Sequence, residues 1–292
     1  MTFAIEVAIG GLLVGIMYSL VALGFALIYK SSGIFNFAQG DMTLFSALAL
    51  VGALAFLPLW LAILAVLVTM IGLAIAIEVL VLRPLVARPP LTLFMATIGL
   101  GFLLEGIGQA IWGTDPKGLD IGISDIPFKV RGLMISQLDL LGAVLSGGLF
   151  LGLVWFFQKS RTGRALRAVS DDHEAALSVG IPLGKAWVIT WAISGVVALV
   201  AGVMWGTRLG VQFSLSLIAL KALPVLILGG IDSIPGAIIA GLVVGASENL
   251  AEVFIGPYVG GGIQTFFPYL LALLVLWFKP YGMFGREIIE RV

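Results

Sequence analysis

The stretch Ala186–Gly206 reads AWVITWAISGVVALVAGVMWG, with no charged residue and only Thr190 and Ser194 as hydroxyl side chains. A hydrocarbon core about 30 Å thick takes roughly 20 apolar residues per helical crossing, so this run has the length of one span. Backbone amides in lipid must pair within the protein, which restricts spanning structures to helices and closed barrels. Strands of a membrane barrel alternate polar and apolar residues, and this stretch does not alternate. It reads as a membrane helix.

The rest of the chain has the same texture. Hydrophobic residues make up 60% of the 292 and charged residues 11%, a composition that lipid rather than water must dissolve. Further apolar runs lie at Val7–Tyr29, Met42–Leu57, Leu59–Leu82, Leu91–Trp112, Leu140–Gln158, Leu217–Gly229, Ile234–Ile255 and Ile263–Phe278. Met42–Leu57 and Leu217–Gly229 are short and flanked by glycine and polar residues, so either fits a half-helix that enters and leaves on one side. The expected fold is an all-α polytopic membrane protein with about eight to ten transmembrane or re-entrant helical segments. No linker or low-complexity stretch divides it, and residues 1–292 are expected to form a single domain. Val7–Tyr29 lacks a basic leader and is long enough to span, which favours a retained helix over a cleaved signal.

Lysine and arginine in short loops set orientation. Lys30, the pair Arg83 and Arg88, the cluster Lys159, Arg161, Arg164, Arg167 and Lys185, and the tail residues Lys279, Arg286 and Arg291 fall on one face if there are nine crossings. That face is expected to be cytoplasmic, with the N-terminus outside and the C-terminus inside. The opposite face carries Arg208 and the loop Gly113–Gln137, where Asp115, Asp120 and Asp125 offset Lys117, Lys129 and Arg131.

Glycines four apart mark helix faces that let backbones approach. Such sets are Gly11 and Gly15, Gly148 and Gly152, Gly202, Gly206 and Gly210 after Ala198, and Gly241 and Gly245. Two glycine breaks also resemble each other. Ser31–Gly33 leads through Gly40–Asp41 into one apolar run, and Gly229–Ser233 leads into another. Two readings of this likeness stand: an internal duplication of the kind common in transporters, or the plain frequency of glycine, with 38 copies.

Ionisable groups at membrane depth are costly and tend to be functional. Here they are Asp41, Glu78, Glu105, Lys221 and Glu248. Gln109 follows Glu105 by one helical turn. A buried Lys221 would need a carboxylate, and Asp41 and Glu248 both qualify. The competing reading has Glu78 and Lys221 near helix ends, reaching to the interface. The group Asn36, Gln39 and Asp41, beside Gly40, points to a polar path. Candidate path residues are therefore Asn36, Gln39, Gly40, Asp41, Glu105, Lys221, Gly229, Gly230, Ser233 and Gly236.

The longest cytoplasmic segment is Lys159–Lys185. Gly163–Val169 predicts a short helix bearing Arg164 and Arg167. Ser170 is expected to cap a second one, with Asp171, Asp172 and Glu174 near its positive end. Ala175, Ala176, Leu177 and Val179 continue that helix, Gly180 stops it and Pro182 prevents continuation. His173 is expected to be a solvated surface residue. A short helix tied between two spans could serve as a lever for a soluble protein.

Other classes are excluded by what is missing. Lys plus Arg and Asp plus Glu number 16 each, so charge suggests no nucleic-acid partner. There is no cysteine and one histidine, which leaves no thiolate or histidine-rich metal site. A nucleotide-cradling loop needs G-x-x-x-x-G-K-S/T. Gly180–Ala186, GIPLGKA, is one residue short and ends in alanine. No G-x-S-x-G or H-E-x-x-H constellation supports catalysis. The chain is expected to hold no catalytic residue, metal or cofactor, and if ATP drives it, another subunit must bind the nucleotide.

Several motifs in order along the chain carry a resemblance: GLLVGIMYSLVALG at 11–24, NFAQGDM at 36–42, LGGIDSIPGA at 228–237 and KPYGMFG at 279–285. In these the chain resembles the permeases of branched-chain amino acid ABC importers, in particular the LivH-type subunit. The resemblance implies a second, LivM-like permease, two cytoplasmic ABC ATPase subunits, a periplasmic substrate-binding protein and a bacterial inner-membrane location. It further implies that residues 159–185 couple to the ATPases, through Arg164, Arg167, Ser170 and EAALSVG at 174–180, where Glu174, Ala175, Ala176 and Gly180 match the opening of the importers' Glu-Ala-Ala loop. Pro224 stands where that family more often has a small residue. Branched-chain or other hydrophobic amino acids are the expected cargo. Urea or short amides in the same family, an ion-coupled secondary transporter using Glu105, Asp41 or Glu248, and a passive channel are the alternatives.

Overall fold

The computed structural model describes residues 2–85, 88–123, 126–130 and 132–285. Arg131, Asp125, Arg286 and Arg291, used above for orientation, lie outside the described residues. In chain order the helices are α1 (Thr2–Ser32), α2 (Gln39–Leu54), α3 (Leu59–Ala76), α4 (Pro90–Trp112), α5 (Gln137–Lys159), α6 (Arg161–Asp171), α7 (His173–Ser178), α8 (Leu183–Leu209), α9 (Ile218–Gly229), α10 (Ile234–Phe254), α11 (Gly256–Val259) and α12 (Ile263–Phe278). A small hairpin of β1 (Phe128–Val130) and β2 (Leu133–Ile135) lies between α4 and α5. Each of the nine apolar runs coincides with a helix, and the fold is that of an all-α polytopic membrane protein.

Among the described residues six helices are long and apolar enough to cross a membrane. The shorter apolar ones are α2, α12 and α9 with the 3-10 turn Phe213–Leu217 before it. At 1.5 Å per residue α2 and α9 are about 24 Å and 18 Å long, short of the hydrocarbon core. The described residues group into two compact units. One draws on Met1–Ala26, Gly122–Ser146 and Ile218–Val292, the other on Leu27–Ile121 and Gly147–Leu217.

In the first unit the glycine pairs meet each other. Gly11 and Gly15 of α1 lie against Gly245 and Gly241 of α10. A Cβ added at any of the four would overlap backbone or Ser19 of the facing helix. Ser19 Oγ adds a hydrogen bond to the Gly15 carbonyl at 2.9 Å, which holds its hydroxyl inside the seam. Gly142 of α5 admits the Met17 side chain in the same way.

In the second unit α2 is the central element. From Gln39 to Leu50 every residue except Asp41 is buried, so a helix too short to span is enclosed by protein instead of lipid. α8 and α3 pack against it. Gly202 of α8 sits over Thr43 and Ser46, and Ser46 Oγ reaches across to the Ala198 carbonyl at 3.0 Å. Gly195 rests on the Met70 carbonyl of α3. The apolar outer faces, such as Phe102 on α4 and Trp155 on α5, remain exposed for lipid or protein.

Substituting Gly245→Val pushes a branched side chain into the α1 backbone. Overpacking of this kind costs about 1–3 kcal/mol or more. The variant should lose its monodisperse peak in detergent or melt well below the parent. Gly148→Ala, whose Cβ meets nothing within 4 Å, should behave as the parent in the same assay.

Candidate functional site

The segment after α5 folds as two short helices, as its sequence suggests, but with different caps. Ser160 caps α6 by accepting the Gly163 amide at 2.8 Å. A Cβ at Gly163 would collide with the Phe156 carbonyl, so glycine allows the tight turn out of α5. α6 then runs through Asp171. This corrects the expected cap: Ser170 lies inside α6, and Asp172 caps α7 instead, its Oδ1 accepting from the amides of Glu174 and Ala175 at 2.9 and 3.0 Å. An extended residue is needed at a cap, and Asp172 has φ −158° and ψ 114°, whereas Ser170 is helical.

Gly180 ends α7 with φ +82°. The Ile181 amide bonds back to the Ala176 carbonyl at 3.0 Å and the Gly180 amide to that of Leu177 at 2.9 Å, the double closure of a Schellman motif. Leu166, Val169, Ala176 and Ala186 form a small buried apolar cluster, flanked by Phe156, Phe157 and Ile181. Arg164, Arg167, Glu174 and Ala175 are exposed. Leu177 and Val179 are also exposed, at 54% and 74%. The result is a pair of capped short helices with two apolar side chains, Leu177 and Val179, exposed.

His173 is not a solvated surface residue. It is half-buried, and its Nε2 lies 3.0 Å from the Ser31 carbonyl at the end of α1. Trp187 Nε1 donates to the same oxygen at 3.0 Å. Nor does Glu78 reach out to an interface. It is buried and ion-paired to Arg83, with Nη2–Oε2 at 2.8 Å and Nε–Oε1 at 3.1 Å. The reason is local: Ile77–Leu82 is a π-helix, and its wider turn brings residues five apart onto one face. Arg83 Nη2 also reaches the Gly184 carbonyl at 3.3 Å, at the start of α8.

Further candidates in the second unit surround the turn before α2. Asn36 and Gln39 are fully buried. Asn36 Oδ1 accepts from the Ala38 amide at 3.2 Å, and its Nδ2 donates to Gln39 Oε1 at 3.2 Å. Ser194 of α8 donates to the same Gln39 oxygen at 2.9 Å. The pair thus shapes the chain reversal and ties it to α8. Asp41 is half-buried and lies beside Gly101 of α4, where a side chain would displace it. Glu105, one turn beyond Gly101, is half-buried and accepts from Gln109 Nε2 at 3.3 Å.

In the first unit Lys221 finds Glu248, one of its two expected partners, at 3.2 Å. Tyr18 O–H donates to the same carboxylate oxygen at 3.3 Å. The Glu248 side chain is 4% exposed and that of Lys221 30%. Gly229 and Gly236 touch so closely that a Cβ on either would overlap the other's backbone. Ser233 caps α10 through the Gly236 amide at 3.1 Å. The tail motif docks on this joint: the amides of Met283 and Phe284 bond the carbonyls of Leu228 and Gly229 at 2.8 and 3.1 Å. Pro224 inside α9 deprives the Leu220 carbonyl of its usual amide, and Tyr269 O–H supplies the bond at 2.8 Å.

Sequence reasoning missed Trp187, Ser194 and Tyr269 as partners. Trp187 and Ser194 lie in the apolar run read first, where an indole and a hydroxyl pass as ordinary span residues. The one available signal was Pro224, since a proline within a span implies an orphaned carbonyl four residues back.

A multi-pass helical membrane body with a capped two-helix segment between two of its spans suits a transport permease. Residues 7–278 match the family described as branched-chain amino acid transport system / permease component, and the chain belongs to that family. It is 30% identical to the high-affinity branched-chain amino acid transport system permease protein BraD of Pseudomonas aeruginosa, over 97% of this chain and 96% of that one. It is 29% identical to LivH of Escherichia coli over the same shares, and 28% identical to the probable LivH of Methanocaldococcus jannaschii over 95% and 91%.

Two substitutions test the first unit's polar contacts. Lys221→Ala leaves the buried Glu248 carboxylate without its half-buried cation, which should cost about 1–3 kcal/mol. Lys221→Met with Glu248→Leu should recover most of the lost thermal stability. Tyr269→Phe should cost about 1–3 kcal/mol by orphaning the Leu220 carbonyl. In a Pro224→Ala background, where the helix amide is restored, thermal denaturation should show most of that loss gone.

Proposed function

We propose that this chain is one permease subunit of an ATP-driven importer for branched-chain or other hydrophobic amino acids in a bacterial inner membrane. Its partners are a second, related permease, two cytoplasmic ATPases and a periplasmic binding protein. Family membership supports the amino-acid cargo. The single observation that carries the coupling role is α7: a helix capped at both ends, seated on an apolar cluster, with Glu174, Leu177 and, at its C-cap, Val179 exposed. Exposed apolar side chains on a capped polar helix are the kind of surface that receives another protein.

The N-terminus is placed outside and the C-terminus in the cytoplasm, so that α7 faces the ATPases. Residues 1–292 act as one permease domain. Substrate delivered by the binding protein enters from the outer face. ATP-driven movement of the ATPases presses on α7, and the helices switch between outward and inward opening. Asp41 and Glu105 within the second unit, and separately Lys221 within the first, are half-buried charges taken as path candidates. Asn36 and Gln39 hold the turn that places Asp41, while Gly229, Gly230, Ser233 and Gly236 form the joint that lets α9 end and α10 begin. Transport draws its energy from the partner subunits, and this chain performs no chemistry.

Leu177→Asp should reduce ATPase co-purification severalfold and lower uptake in proportion. Glu174→Ala and Gly180→Val should lower uptake in the same direction, the latter by straining a residue at positive φ, a cost of about 1 kcal/mol or more. Normal ATPase capture and uptake in all three variants would remove the coupling assignment. Uphill uptake by the purified chain alone in liposomes would overturn the importer reading altogether.

A further inference from the structure

We propose that α7 is pinned to the inner end of the first span, with His173 and Trp187 as the positioning residues that carry its movement to α1. This inference rests on the coupling role proposed above. An α-helix leaves its last four carbonyls without intrahelical partners. At the end of α1 the Tyr29 carbonyl takes the Gly33 amide at 2.8 Å. The Ser31 carbonyl takes two side-chain donors instead, His173 Nε2 and Trp187 Nε1, each at 3.0 Å. A carbonyl only accepts and an indole N–H only donates, so the histidine proton is assigned to Nε2 on the same ground. Ser31 is buried, which makes this oxygen expensive to strand.

The sequence positions of the two donors give the contact its meaning. His173 opens α7 directly after its cap, and Trp187 lies in the first turns of α8, beyond Gly180 and Pro182. The whole lever is therefore bracketed by two residues that converge on one atom. Behind it Arg83, braced by Glu78, holds the Gly184 carbonyl. A loop fastened only at its two chain ends would absorb a push by bending. Here α7 is held to α1 through His173 and the start of α8 through Trp187, while Arg83, beyond the π-turn that follows α3, holds Gly184, so displacement of α7 with the start of α8 must move the last turn of α1 or break both bonds to Ser31. The caps and the buried Ala176 already account for the folding of α7. The convergence on Ser31 adds a mechanical tie that the fold of α7 does not require.

The test compares uptake per ATP hydrolysed in proteoliposomes holding the complete complex. Trp187→Phe removes the donor and keeps the ring's bulk, His173→Leu removes the other donor, and His173→Gln restores one. The double variant His173→Leu with Trp187→Phe is expected to retain its ATPases and lose at least threefold in uptake per ATP. Replacing the leucine by glutamine should recover at least half of that loss. Backbone amides around Ile34 should exchange faster in the double variant than in the parent. Should the double variant not accumulate, Trp187→Phe alone is read the same way, with a smaller loss expected. An assembled variant with the parent's uptake per ATP overturns the tie. A parent chain that recruits no ATPase defeats the functional reading instead, and co-purification distinguishes the two failures.

Discussion

Every amide and carbonyl kept away from water must be answered by the protein itself, and this chain answers them where its helices are interrupted. Continuous helices satisfy that demand internally. Here α9 carries a proline and α1 ends within the protein, and at both places side chains take up a carbonyl that the helix leaves bare. Tyr269 serves Leu220, four residues before the proline in α9, and His173 with Trp187 serves Ser31 at the end of α1, while Ser46 and Arg83 add bonds to the Ala198 and Gly184 carbonyls within α8. The polar residues within the apolar runs are therefore largely committed to backbone.

Glycine provides the second ordering principle. The pairs on α1 and α10 form a seam in which backbone meets backbone, and the contact is dense because no Cβ intervenes. The same economy joins two motifs distant in sequence. Gly229 and Gly236 touch across the break between α9 and α10, while Gly282, at φ +77°, approaches Ile227 and Gly230. The tail motif is thus part of the joint. Its place against the glycine break at 228–237 has a physical cause: the tail supplies the amides that the end of α9 lacks.

Much of the fold could be read in the chain because hydrophobic length and charge spacing act locally. All nine runs became helices, with boundaries shifted mostly by a few residues, and the two short ones kept their short character. Partners across the fold were harder. The four-residue glycine spacing announced close packing without saying that Gly11 would face Gly245. Lys221 announced a carboxylate without choosing between Asp41 and Glu248. Ser170 and Asp172 are both good caps, and only the backbone angles decide between them. His173 looked solvated because its neighbours Asp172 and Glu174 are charged, yet a helix six residues long turns one face inward. Glu78 looked set to reach the interface, and its pairing with Arg83 was hidden because five is the wrong spacing for an α-helical ion pair.

That five-residue spacing bears on how the chain tolerates insertion and deletion. A π-turn amounts to one surplus residue in a helix. Removing a residue between Glu78 and Arg83 would restore ordinary helical winding and even leave the two charges at a favourable spacing of four. It would also rotate everything upstream by about 100°, carrying the small-residue face of Met70 and Ala74 away from Gly195 of α8. The surplus residue works as a phase shifter, setting the rotational register of α3 independently of its far end, and shortening the chain there would exchange a tidier helix for a misaligned one.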